Sequence, residues 1–105
     1  MRRGEIWWAD LAPPAGHRPV VLLSRDDAYA IRSEVTVAPV TTRIRHIPVE
    51  VNLGPGEGLP KACVVNLDSI NTIARRRLRE FVAMLRAEKL DELDEAIHYA
   101  LGLQR

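Results

Sequence analysis

At 105 residues, the chain has room for one domain (1–105) built around a single core. Apolar residues make up 47% and charged residues 28%, as in ordinary globular proteins, and no apolar run nears the roughly 20 residues of a membrane-spanning helix, so no membrane partner is expected. The net charge of +1 excludes a strongly polybasic protein, yet every basic residue except Lys61 and Lys89 is an arginine, the residue suited to forked contacts with phosphate.

Residues 1–11 open with Arg2-Arg3-Gly4 but carry no apolar stretch of the signal-peptide kind, and a cytoplasmic location is expected. Within them, Glu5-Ile6-Trp7-Trp8-Ala9-Asp10 has the aromatic and branched content of a strand, with Ile6 and Trp8 on one face and Trp7 on the other. Paired tryptophans serve either as base-stacking platforms or as packing in a core or interface. Ala12-Pro13-Pro14-Ala15-Gly16 must be a loop. It leads into His17-Arg18-Pro19-Val20-Val21-Leu22-Leu23-Ser24, the stretch around which the chain is organised. Its unbroken apolar run, 19–23, is short and opened by proline, which reads as a strand buried on both faces. Arg18 heads that strand, where rigid backbone holds a functional group in place; on local pattern alone it also reads as a surface arginine.

Ser24-Arg25-Asp26-Asp27 ends the strand with capping residues, and one or two helical turns are expected over 28–31. Residues 34–40 form the next strand on the evidence of Val35, Val37 and Val40, with Pro39 interrupting the ladder near its end. Thr41-Thr42-Arg43-Ile44-Arg45-His46 is a polar, basic loop leaving the sheet. Residues 48–53 alternate cleanly as a half-exposed strand. The glycines at 54, 56 and 58 lack the helix and lysine of a phosphate-binding loop and mark a surface turn. Residues 61–67 read as a strand, 68–73 as a further extended segment, and 78–85 as the place of the last strand. Leu90, Leu93, Ile97 and Leu101 then recur at helical spacing, with acids in the helix's first half and Gly102 as its stop. Many short strands before a terminal helix give a mainly β fold with helices, a small, partly closed β-barrel.

Cys63, the lone cysteine, excludes an internal disulfide and a cysteine-built zinc site, and the valines after it argue for burial rather than a reactive thiolate. His46 and His98 are not placed as a metal pair, and His98 reads as a helix-surface or dimer residue. Arg75-Arg76-Arg77-Leu78-Arg79 suits nucleic acid, a solvated strand entry or an acidic partner.

Three stretches together resemble the MazF/PemK-like toxin family of toxin–antitoxin systems: residues 2–11, the segment His17-Arg18-Pro19-Val20-Val21-Leu22-Leu23-Ser24, and Val37-Ala38-Pro39-Val40-Thr41-Thr42. Residues 63–73 resemble the family's central strand pair, and the helix around Leu90 its C-terminal helix. The resemblance implies an SH3-like barrel, a homodimer, a single-stranded RNA substrate and an acidic antitoxin, MazE-like or other. It also implies endoribonuclease activity without cofactor or metal, leaving 2′,3′-cyclic phosphate and 5′-hydroxyl ends. Arg18 and Thr41 match the family's active-site pair. His17, Thr42, Arg43 and Arg45 are the expected RNA contacts. The Ser-Glu-Gln of many members' first loop is replaced here by Pro13-Pro14-Ala15-Gly16-His17, so the loop glutamate has no counterpart. His17 is then either a substitute base or an RNA-contact residue. Two other readings share the scaffold: a topoisomerase-poisoning toxin and a non-catalytic nucleic-acid-binding barrel.

Overall fold

The apolar run after Arg18 forms β2 (His17–Leu22), and alternation sends its side chains into two different cores. In the computed structural model, which describes residues 1–103, Val21 packs into one cluster while Val20 and Leu22 pack into the other. The expected burial on both faces is met, since all three are fully buried.

The elements follow the chain as β1 (Glu5–Asp10), β2, α1 (Ala28–Ile31), β3 (Glu34–Thr41), β4 (Glu50–Leu53), β5 (Cys63–Asn66), β6 (Asn71–Ala74), β7 (Leu78–Met84) and α2 (Ala87–Ala100). Every strand pairing is antiparallel. The strand order is β4-β5-β3-β2-β1-β7, with β6 also joined to β3. β3 thus serves two partners besides β2: Glu34 to Val37 pair with β6, and Val40 and Thr41 pair with β5. Pro39, with no N–H to give, sits at the hand-over between them. Splitting one strand's pairing this way curls the sheet into the expected SH3-like half-barrel of seven strands.

Inside the curl, Ile6, Val21, Val40, Val65 and Leu67 meet Leu93 and Ala96 of α2. The outer cluster joins Ala9, Val35, Val37, Tyr29 and Leu78, with Trp7 and Ile73 packed against it. Just before β1, against Leu90 of α2, glycine is strongly favoured at position 4. A Cβ there would lie 2.5 Å from Leu90 Cδ2, and its φ of +93° is strained for any other residue.

Two details depart from the sequence expectations. Leu101 is 58% exposed rather than on the buried face. The helix has already ended at Ala100, and Gly102 (φ +67°) turns the chain so that its N–H reaches the Tyr99 carbonyl and the Leu103 N–H reaches that of His98. The segment 68–73 is not extended throughout, because a 3-10 turn, Leu67–Ser69, precedes β6. Asn66 starts that turn by accepting the Asp68 N–H on its side chain at 2.9 Å.

Candidate active site

Continuing the β2–β3 register beyond Val20↔Pro39 brings Arg18 opposite Thr41. Both strands end there, so two rigid elements deliver an arginine and a threonine to one edge of the half-barrel. Around them lie two adjoining concavities. The first, of about 180 Å³, is lined by Arg18, Pro39, Thr41, Arg43, Arg45, Asn66 and Ser69. The second, of about 230 Å³, is bordered by Trp8, His17, Thr42 and, again, Arg18 and Thr41. Arg18 and Thr41 therefore form the shared wall. All six residues expected at the site line one concavity or the other.

Local bonds fix what each group offers. Arg18 donates from Nε to the Ala15 carbonyl at 3.1 Å, which ties the guanidinium to the preceding loop and leaves its terminal nitrogens for an anion. Thr41 Oγ1 accepts the Arg43 N–H at 3.1 Å, so its own O–H remains to donate. The loop after β3 is gathered by Glu50, whose Oε1 accepts the N–H of Arg45 at 2.9 Å and of His46 at 3.0 Å. His46 adopts φ +57°, a costly conformation for a residue with a side chain, and the carboxylate offsets that cost. Glu50 Oε2 is buried without a hydrogen-bond partner. Sequence reading missed Glu50, because nothing local shows that a strand-start carboxylate reaches back four and five residues.

For the RNA cleavage that the resemblance implies, Glu50→Ala is expected to raise KM about tenfold with little change in kcat, the order that follows from losing charge-assisted loop bonds. Glu50→Gln keeps an acceptor and should stay near wild type. Initial rates against RNA concentration at fixed salt check this, and equal KM values for all three proteins would refute it.

The second concavity is more ordered than expected. The rings of Trp8 and His17 stack with centroids 5.0 Å apart and planes 6° from parallel. His17 Nδ1 lies 2.7 Å from Asp10 Oδ1, across the β1–β2 pair, and Arg79 Nε donates to Asp10 Oδ2 at 2.6 Å. The Arg79 hydrogen bond foremost, then that of His17, holds the Asp10 carboxyl below the usual carboxylate range. Asp10, Asn66 and Ser69 had no role on sequence grounds, and Arg79 had one only as a member of the arginine run.

The arginine run also resolves into separate tasks. Arg75 bonds the Tyr29 carbonyl and Arg77 the Asp10 carbonyl, while Arg79 engages the Asp10 side chain. These arginines bind carbonyls and a carboxylate of the chain itself, tying β7 and its approach to α1 and β1. Trp7 meets Phe81 edge-on at 5.9 Å and donates to Glu5 at 2.9 Å, so it is packing, whereas Trp8 belongs to the groove. Cys63 is buried, and desolvation, with a smaller push from Glu57, raises its thiol above the ordinary value. Among the described residues no group of three or more His, Cys, Asp or Glu is placed to hold a metal ion, and no helix is long and apolar enough to cross a membrane.

An open groove at the rim of a curled sheet, walled by arginines and hydroxyls, has the charge and the donors that suit a polyanionic chain. The family model described as "PemK-like, MazF-like toxin of type II toxin-antitoxin system" matches residues 2–101. The probable endoribonuclease MazF5 of Mycobacterium tuberculosis is 38% identical over 104 residues, 98% of this chain and 94% of that protein. Among solved structures, the Mycobacterium tuberculosis toxin MazF-mt6 superposes with a TM-score of 0.89 at 34% identity, covering 96% of this chain and 99% of that one. An endoribonuclease in complex with its cognate antitoxin, from a mycobacterial species, gives 0.88 at 27% identity, covering 100% and 98%. The chain belongs to the PemK/MazF-like family of type II toxin–antitoxin toxins.

Proposed function

We propose that this chain is the endoribonuclease toxin of a type II system, cutting single-stranded RNA in the cytoplasm through the substrate's own 2′-hydroxyl. The observation that carries this reading is the wall shared by the two concavities, where Arg18 and Thr41 face both. A phosphate held there has neighbouring nucleotides on either side, one toward Arg43 and Arg45, the other toward Trp8, His17 and Thr42. Attack by the 2′-oxygen builds negative charge on the phosphoryl oxygens. Arg18 meets that charge with a planar fork of donors and Thr41 with a hydroxyl, both held before the reaction begins.

The same basic groove is the docking place for an acidic antitoxin segment, since both occupants are extended polyanions, and salt weakens both. A second copy of the chain would cover the exposed Phe81, Tyr99, Leu101 and Leu103, and the working unit is a homodimer.

The test is incubation with mixed-sequence single-stranded RNA in excess chelator, followed by mapping of the cut ends. The positive charge here comes from arginines, so cleavage is expected to persist, with 2′,3′-cyclic phosphate and 5′-hydroxyl ends. A topoisomerase poison or a non-catalytic binder would leave the RNA intact. Products with 5′-phosphates would make the 3′-oxygen the leaving group and water the nucleophile, and would overturn attack by the 2′-hydroxyl.

A further inference from the structure

Attack by a 2′-hydroxyl needs an acceptor for its proton, and few groups around this groove can accept one. The guanidiniums of Arg18, Arg43 and Arg45 have no acceptor at all, and the Thr41 hydroxyl is a feeble base. Glu50 Oε1 is spent on the loop backbone and its Oε2 is buried, out of reach of a substrate, while both oxygens of Asp10 are already engaged. His17 remains. An ionised carboxylate only accepts hydrogen bonds, so the Asp10 contact places the proton on Nδ1. The lone pair of the neutral ring is therefore on Nε2. The carboxylate holds the ring in plane, and Trp8 fixes its tilt by stacking on its face. Arg79, on the carboxylate's other oxygen, stops Asp10 from turning away.

We propose that His17 is the general base of this site, with Asp10 and Arg79 as its positioning residues. The proposal rests on the endoribonuclease reading above and names a proton acceptor for it. In the step, Nε2 takes the 2′-hydroxyl proton, the 2′-oxygen bonds to phosphorus, and the bond from phosphorus to the 5′-oxygen breaks. The departing 5′-oxygen takes a proton from water, and the imidazolium returns its proton to solvent. The negative charge of Asp10 stabilises the imidazolium while it exists. The charged groups around His17 are Asp10 from β1, Arg79 from β7 and the adjacent Arg18 of β2. From β3 and its exit come Val40, Thr41 and Thr42, which carry no charge.

A general base must be unprotonated to act, so kcat/KM should rise with pH along an acid limb set by His17. The experiment measures pH–rate profiles of the wild-type protein, His17→Ala, His17→Gln and Asp10→Asn on one RNA, with circular dichroism to establish folding. Both His17 variants are expected to lose about a hundredfold or more in kcat and to flatten the acid limb. Added imidazole should restore part of the rate to His17→Ala. Asp10→Asn should lower kcat while changing KM little. If the His17 variants instead raise KM alone, keep the acid limb and ignore imidazole, His17 only contacts RNA and the proposal is overturned. Rescue by His17→Gln, which keeps a hydrogen-bonding group but cannot titrate, would overturn it as well. Failure of the wild-type protein itself to cut RNA would bring down the endoribonuclease reading, and the base with it.

Discussion

Replacing Arg18 with alanine is expected to abolish detectable RNA cleavage in a protein that still folds. The loss follows from what the side chain holds. Its Nε is tied to the Ala15 carbonyl, so the charged fork stands at the wall between the two concavities without having to be ordered during the reaction. Removing a single preorganised donor from a site of developing oxyanion charge costs about two to three powers of ten in rate. Arg18 supplies several donors and a full charge, and its removal should exceed that. The fold should survive because β2 is held by Val20, Val21 and Leu22, buried in both cores, and not by its half-exposed head. Arg18→Lys retains the charge but loses the fork, and an intermediate rate is expected. Thr41→Ala should cost roughly ten to a thousandfold, the lesser effect of one lost donor. Thr42→Ala should cost less, since Thr42 borders one concavity and Thr41 both. Wild-type rates in folded Arg18→Ala would remove this groove as the active site, and equal losses at both threonines would shift the site by one residue.

What could be read from the chain beforehand, and what could not, follows the range of the interactions. The strands were legible because their signals are local: valines at alternate positions, an apolar run opened by Pro19, breakers between them. Arg18 and Thr41 were legible for a related reason, since each stands at the end of such a strand, and the family resemblance singled out both. Long-range partners were not. Asp10 meets Arg79 across the β1–β7 pairing, and no spacing in the sequence announces a contact over 69 positions. His17 was legible only as an open choice between base and contact, because its tautomer depends on Asp10, and Asp10 belongs to another strand. The arginine run stayed open among three uses for the opposite reason. Charge density is visible locally, but whether each guanidinium faces solvent or caps a carbonyl of the fold is decided by tertiary packing. Tryptophans 7 and 8 show the same division. Alternation put them on opposite faces, and only the packing set one, half-buried, against the outer cluster and made the other part of the groove.

An RNA carrying a single 2′-deoxy nucleotide on the 5′ side of the scissile phosphate should resist cleavage at that bond altogether while binding as well as its parent. The two halves of this expectation have separate causes. In the proposed reading binding draws on phosphates, which the substitution leaves in place for Arg18, Arg43 and Arg45, and on base stacking near Trp8 and His17, all of which line the two concavities. The deoxy RNA should therefore inhibit cutting of normal RNA competitively, with an inhibition constant near the normal KM and the same salt dependence. The chemistry draws on the hydroxyl, and the groove has no replacement for it. A water molecule would have to be held in line with the departing 5′-oxygen and stripped of a proton there. The one free ring nitrogen that the Asp10 contact leaves on His17 cannot serve a 2′-oxygen and an independent water with equal geometry. The measurement sets the cleavage rate at the substituted bond beside the rate at an unsubstituted site in the same strand. Cutting of the deoxy bond at the normal rate, leaving a 3′-phosphate and a 5′-hydroxyl because the 5′-oxygen is the group that departs, would make water the nucleophile. His17 would then have to be reassigned as the base for that water. A resistant but tightly held deoxy RNA leaves the internal hydroxyl as the nucleophile. It also supplies the non-cleavable ligand with which an acidic antitoxin segment can be tested for the same groove, since both should not be bound at once.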